Sequence, residues 1–257
     1  MTTSRSQPKI LERINKARLR KARSLTLDGG EGPLPSMEGL ESLERLNIFW
    51  TAYDDVAALS ALTNLRELYL PPGRVQNLAA ISQLMELRVL NASETVLPNL
   101  GVLSNLTKLR TLFLSGKYIR KIDALEALSE LRSLSLEAAS VRDISPVRKL
   151  TRLRSLSIVG SRIDDLASLA QLQSLVRLDL NGSKIGSLQP LKQLRQLEWL
   201  NLTDTNAAEL APVASIASIW GLNLTGSNIG DLAPISNLPN LRRLYIAGNT
   251  CCQLNPP

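Results

Sequence analysis

Leucine returns along this chain at a fixed step of twenty-two residues: Leu46, Leu68, Leu90, Leu112, Leu134, Leu156, Leu178, Leu200, Leu222 and Leu244, with Leu25 one residue out of step before them. Around each lies the frame L-x-x-L-x-L-x-x-T-x-I-x-x-L-x-x-L-x-x-L-x-x, whose positions we number 1 to 22. In LTRLRSLSIVGSRIDDL (150–166) the aliphatic residues fall three, three, two, five and three apart. A helix face would want intervals of three and four, and a half-buried strand would want two. The mixed interval belongs instead to a repeated coil, one short strand followed by turns, and the repeat governs everything else that the chain can do.

Positions 4 and 6 of each coil point one way from a short strand, so positions 3, 5 and 7 point the other. The leucines three apart at positions 11, 14, 17 and 20 bring the chain back along short 3₁₀-like or irregular segments. Seven aliphatic side chains cannot by themselves offset the cost of ordering a coil, so each coil must bury its flanks against its neighbours. Eleven such coils, with strands about 4.8 Å apart, give a parallel sheet roughly 50 Å long. Aromatic residues are only 4% of the chain, so the core is aliphatic.

The repeat, together with DISPV (143–147), SLQPL (187–191), ELAPV (209–213) and DLAPI (231–235), resembles the leucine-rich-repeat family in the 22-residue bacterial class seen in internalins. The resemblance runs from residue 22 to about 254. It implies an α/β fold: a right-handed horseshoe solenoid with a parallel β-sheet on the concave face, 3₁₀ or irregular convex segments, and an N-terminal capping helix. It also implies a protein-binding role. The chain departs from the family at position 9, where asparagine gives way to Thr51, Gly73, Thr95, Lys117, Ala139, Ser161, Ser183, Thr205 and Ser227 before Asn249. Hydroxyls can donate to neighbouring carbonyls and Gly or Ala cannot, which predicts a weaker buried polar ladder in coils 65–86 and 131–152.

Residues 1–21 read as a basic tail and capping helix, and residues 22–257 as the repeat domain with its last coil abbreviated. In QPKILERINKARLRKA (7–22), Ile10, Leu11, Ile14 and Ala17 are expected on one side, sealing the first coil. Cys251 and Leu254 fit core positions 11 and 14 of the last coil. Eight basic residues and one acidic one among residues 1–23 account for the whole net charge of +7, since the remaining 22 basic and 22 acidic residues cancel. A basic amphipathic helix can bind nucleic acid or an anionic surface, but here its apolar side is needed as a cap. Arginine recurs at position 2 (Arg66, Arg88, Arg110, Arg132, Arg154, Arg242), a ladder read as structural because Arg stems cover apolar edges.

Catalysis is not expected. The chain has no histidine, which removes the Ser–His and Cys–His nucleophile pairs and the imidazole metal ligands. The acidic pairs Asp54–Asp55 and Asp164–Asp165 fall in the turn after the strand, where solvated or capping acids belong. No Gly-rich phosphate loop occurs, so no cofactor, metal or small-molecule substrate is called for. Adjacent Cys251 and Cys252 favour free thiols in a reducing compartment. The expected location is the cytoplasm, of a bacterium by the resemblance, with a Ser/Thr-rich start also compatible with injection into a host as an effector.

Eight of the nine aromatic residues avoid the core positions: Phe49, Trp50, Tyr69, Phe113, Tyr118, Trp199, Trp220 and Tyr245, leaving Tyr53 at position 11. Exclusion from a leucine-sized core does not explain why they also avoid the convex side, so a binding face is the better reading. Phe49, Trp50, Tyr69 and Phe113 belong to its N-terminal end, and Trp199, Trp220 and Tyr245 to the other end beside Arg177, Asp179 and Arg243. Mixed charge around ring anchors suits a folded protein partner, whereas nucleic acid asks for uniform positive charge. These eleven residues are the expected contact set of an adaptor, inhibitor, immunity-type protein or effector. The alternative is a nucleic-acid or anionic-surface binder acting through the basic helix and the arginine ladder.

Overall fold

The computed structural model describes residues 7–116, 119–137, 140–227 and 229–249. Eleven parallel strands form one sheet in chain order: β1 (Ser24–Thr26), β2 (Arg45–Asn47), β3 (Glu67–Tyr69), β4 (Val89–Ala92), β5 (Thr111–Ser115), β6 (Ser133–Glu137), β7 (Ser155–Val159), β8 (Arg177–Asp179), β9 (Trp199–Asn201), β10 (Gly221–Asn223) and β11 (Arg243–Tyr245). Register follows the repeat. Leu134 lies opposite Leu112 and Leu156, and Leu200 opposite Leu178 and Leu222. Equal repeat positions therefore stack in rows, and the mostly aliphatic residues of positions 1, 4, 6, 11, 14, 17 and 20 close into one continuous buried core, with Tyr53 at position 11 among them.

The chain returns along single 3₁₀ turns such as Ala57–Ala61, Ser145–Lys149 and Ala167–Gln171. Position 13 sets these up. Asp55, Asp143, Asp165 and Asp231 each accept the backbone N–H two residues on, at 2.7–2.8 Å, which is the Asx turn that leads the chain into the 3₁₀ segment. The N–H of Ala57, helped by Asn77, holds the Asp55 carboxyl below its ordinary range. The N–H of Ser145 does the same for Asp143. Asp55 and Asp165, expected from the sequence as solvated or capping acids, thus serve the backbone.

Position 9 supplies a buried ladder of hydroxyls. Thr51, Thr205 and Ser227 donate to carbonyls three residues back, at 2.6–2.7 Å. Ser183 reaches the preceding coil at Ile158 O (2.9 Å), and Asn249 accepts from the Ser227 hydroxyl at 3.1 Å. In the Gly73 coil, where a gap was expected, the Thr95 hydroxyl of the next coil donates to Pro71 O at 2.7 Å. The ladder is thinned there and displaced by one residue, because Pro71 is position 7 and the other coils use the carbonyl of position 6. The other expected gap, at Ala139, lies outside the described residues.

Helix α1 (Gln7–Leu19) covers the first coil with Ile10, Ile14 and Ala17 buried. Leu11, expected on the same side, is 47% exposed. Steps of four and three keep residues 10, 14 and 17 on one stripe, and residue 11 stands about 100° away from its neighbour. Two of the helix's cations are used in docking. Arg13 pairs with Asp28 and donates to Thr26 O (2.6 Å), and Arg18 donates to Glu38 O (2.8 Å). Beneath the helix Tyr53 is 1% exposed, and its hydroxyl is the one buried side-chain polar atom among the described residues with no hydrogen-bond partner. At the opposite end Leu244 is 38% exposed on β11. Cys251 and Leu254, expected to extend the core beyond it, lie outside the described residues.

Candidate binding face

The rows at positions 3, 5 and 7 make the solvent side of the sheet. Position 8 then turns the chain away in the left-handed region: Gly160 (φ +70°), Gly182 (+64°), Gly226 (+65°) and Gly248 (+75°), with Asp204 (+52°) among them. A side chain strains that conformation, which is why glycine dominates the position.

Position 5 has a structural duty that its exposure conceals. Asn47, Asn91, Asp179, Asn201 and Asn223 each accept the backbone N–H two residues on, at 2.9–3.1 Å, fixing the end of the strand. Asp179, expected in the contact set, also accepts the Asn201 amide at 3.0 Å. Its carboxylate is therefore partly committed to the sheet. Arg177 stands in the position-3 row directly opposite Trp199.

Three of the expected rings form one contact cluster. Trp199 lies 5.5 Å from Trp220 with a 49° tilt, and 6.2 Å from Tyr245 nearly edge-on at 67°. The Arg243 guanidinium sits 5.4 Å from the centre of the Trp220 ring, within cation–π reach. Trp220 Nε1 donates to Glu198 Oε2 at 3.2 Å, which fixes its edge. What lets the rings meet is an absent side chain. Gly221 lies opposite Trp199, and a Cβ there would fall 2.2 Å from Trp199 Cε3. The indole thus lies across β10, and Gly221 is a positioning residue that periodicity alone does not reveal.

A Gly221→Ala substitution should push that indole aside. The ring contact is worth about 0.5–1.5 kcal/mol and the gain from replacing a strand glycine is about 0.5–1 kcal/mol. Stability should therefore stay within about 1 kcal/mol of the parent while the near-ultraviolet circular dichroism of the tryptophans changes. An unchanged near-ultraviolet spectrum would show that the ring does not depend on the gap.

The N-terminal aromatics are not brought together as one group. Phe49 and Trp50 pack edge to face at 4.9 Å in the turn after β2, leaving Trp50 72% exposed. Tyr69 and Phe113 share the position-5 row with Asn91 between them. Among the described residues no ring contact joins either to the other or to the Phe49–Trp50 pair. Tyr118 lies outside the described residues.

Position 2 runs along the edge of this face, and coil-to-coil ion pairs are set beside it. Glu44 receives both Arg23 (3.3 Å) and Arg66 (3.4 Å), Arg45 meets Glu67 at 2.7 Å, and Lys108 meets Glu86 at 2.5 Å. The Lys108 contact, with Arg66 and Arg88 adding to it, holds the Glu86 carboxyl below its ordinary range. Among the described residues no group of three or more His, Cys, Asp or Glu could hold a metal ion, and no helix is long and apolar enough to cross a membrane.

No protein-family model matches the chain, and no curated protein sequence matches it. Solved structures do match. The internalin InlF of Listeria monocytogenes superposes with a TM-score of 0.84 at 24% identity, over 93% of this chain and 74% of that one. Internalin InlC2 of the same organism gives a TM-score of 0.67 at 23% identity, over 93% of both chains. A leucine-rich-repeat protein of Leptospira interrogans gives 0.77 at 23%, over 91% of this chain and 69% of that one. The eleven-stranded parallel sheet, its 22-residue coil and these superpositions together give the chain the leucine-rich-repeat solenoid fold in the form found in bacterial internalins.

Proposed function

We propose that this chain is a non-enzymatic interaction module that holds a folded protein partner on the sheet face of its solenoid, anchored by Trp199, Trp220 and Tyr245. The observation that carries this reading is the ring cluster with Arg243 stacked on it, half-exposed on the sheet side and opened by Gly221. Clustered Trp, Tyr and Arg are the side chains that most often dominate protein–protein affinity. The fold itself admits more than one kind of ligand: the plant peptide hormone receptor RGFR1 was solved in complex with RGF2, and TLR13 with ssRNA13. The choice for this chain therefore rests on its own face. Around the cluster, Arg177 and Arg243 alternate with Asp179 and Glu198, a mixture that suits a protein surface. The polyanion reading through the N-terminal helix is weakened by the use of Arg13 and Arg18 in docking that helix. We place the module in the cytoplasm, the compartment expected for a chain whose two cysteines, Cys251 and Cys252, are adjacent in sequence.

The test compares wild type with the double variant Trp199→Ala/Trp220→Ala, each immobilised and exposed to lysate of the source cells, with bound proteins identified by mass spectrometry. A protein captured by wild type should bind the double variant at least thirtyfold more weakly, about 2 kcal/mol, while far-ultraviolet circular dichroism stays the same. Equal capture by both forms refutes the assignment of this face.

A further inference from the structure

Five successive coils carry arginine at position 2, and the backbones of these residues are directly linked: Arg88, Arg110, Arg132 and Arg154 each donate an N–H to the carbonyl of the arginine one coil before, at 2.8 Å. Their side chains are therefore rooted in single file along the edge of the sheet face. Their partners differ. Arg66 shares Glu44 with Arg23, whereas Arg88, Arg110, Arg132 and Arg154 make no ion pair among the described residues. Glu86, whose charge Arg88 feels at longer range, is taken by Lys108, and Glu130 by Arg152. If the row served only to cover apolar edges, nothing would distinguish its middle from its end.

The unpaired stretch is also bounded. Arg88, Val89, Arg110, Thr111 and Arg132 line one open groove, whose N-terminal part holds Glu44 and Glu67. On the far side the position-2 row reaches Glu198, and Asp179 stands in the position-5 row one coil before it. The four arginines span three strand spacings, about 14 Å, and the inner pair of bounding acids, Glu67 and Asp179, stand five spacings apart, about 24 Å. Ser133 and Ser155 stand next to the arginines in the adjoining row and offer hydroxyls to the same visitor. A nucleic-acid strand running along the face would carry its phosphates past the strip and onto the bounding acids. A short run of carboxylates would not, and the guanidinium fork matches a carboxylate with two parallel donors.

We propose that Arg88, Arg110, Arg132 and Arg154, with Ser133 and Ser155, form a carboxylate-recognition strip that takes a short Asp/Glu-rich segment of the protein partner. This rests on the sheet face being the binding surface, but it does not use the aromatic cluster. The probe is fluorescein-labelled hexaglutamate, titrated with the full chain and followed by anisotropy at low and at physiological salt. Wild type should bind it, more weakly as salt rises. Arg110→Gln/Arg132→Gln should weaken binding roughly tenfold, and Arg88→Gln/Arg154→Gln, a second variant in case the first is poorly soluble, should do likewise. Arg23→Gln, which removes an arginine already provided with a carboxylate, should change it by no more than about twofold. Hexaglutamate that fails to bind wild type, or binds both double variants equally well, overturns the proposal. Labelled single-stranded dT12 binding wild type more tightly than hexaglutamate overturns it in favour of nucleic acid. Trp199→Ala/Trp220→Ala should leave the probe's affinity unchanged, so failure of the aromatic anchor and failure of the strip are separately visible.

Discussion

Replacing Leu156 by alanine should lower the free energy of unfolding by about 2–5 kcal/mol. Leu156 sits at position 4 of β7 in the middle of the solenoid, buried and flanked by Leu134 and Leu178 in the strands on either side. Removing its isobutyl group opens a cavity facing three coils at once, and coils locked in register by their strand pairing cannot close over it. The same substitution at Leu244, which holds the same repeat position but is 38% exposed at the end of the described sheet, should cost about 1 kcal/mol. Urea unfolding of the two variants measures the contrast. Equal losses would mean that the end coil is as enclosed as the centre.

Introducing aspartate at Ile14 should release the N-terminal helix. Ile14 and Ile10 are both almost wholly buried against the first coil, and an unpaired carboxylate there is tolerated only if the helix lifts away. Two buried isoleucines put the loss at about 3–5 kcal/mol. Hydrogen exchange should show the first coil losing protection, the amide of Leu27 included, which donates to Asn47 O at 2.9 Å. Strands β6 to β8 should keep theirs, because each coil depends on its neighbours. Tyr53 gives a second readout. Burial pushes its phenol above the ordinary value of 10.0. The folded state thus prefers the neutral phenol, and the stability it contributes is present below that value and lost as the pH climbs through the raised one. With the helix released, the phenol should titrate closer to its ordinary value in ultraviolet absorbance. An unshifted titration and full protection of the first coil would show that the helix is not what seals this end.

The sheet, its eleven strands and the row-wise stacking of side chains were legible because a period of twenty-two residues leaves one way to bury seven aliphatic positions. The helix was legible as a cap but not in detail. Leu11 is as apolar as Ile10, and only the helical angle separates them. The C-terminal rings could be assigned to one face from position numbers alone, but their contact depends on Gly221, and a missing side chain carries no periodic signal. The N-terminal aromatics show the opposite error: nearness in repeat position did not become ring contact, because Asn91 stands between Tyr69 and Phe113. Asp179 looked free until its backbone turn was seen. The distinction between paired and unpaired arginines was within reach, since Glu44 occupies the arginines' own position in the frame, one coil before Arg66. Which carboxylates were already engaged required coordinates.

Register between coils has a consequence for how the molecule measures distance. Because every strand takes its place from the one before, the interval separating the Phe49–Trp50 pair from the tryptophans at 199 and 220 is a whole number of strand spacings, held by backbone hydrogen bonds rather than by a flexible tether. Two patches so mounted act as a ruler: a visitor must match their separation in steps of about 4.8 Å, and gaining or losing a coil would shift that length by one whole graduation without altering either patch.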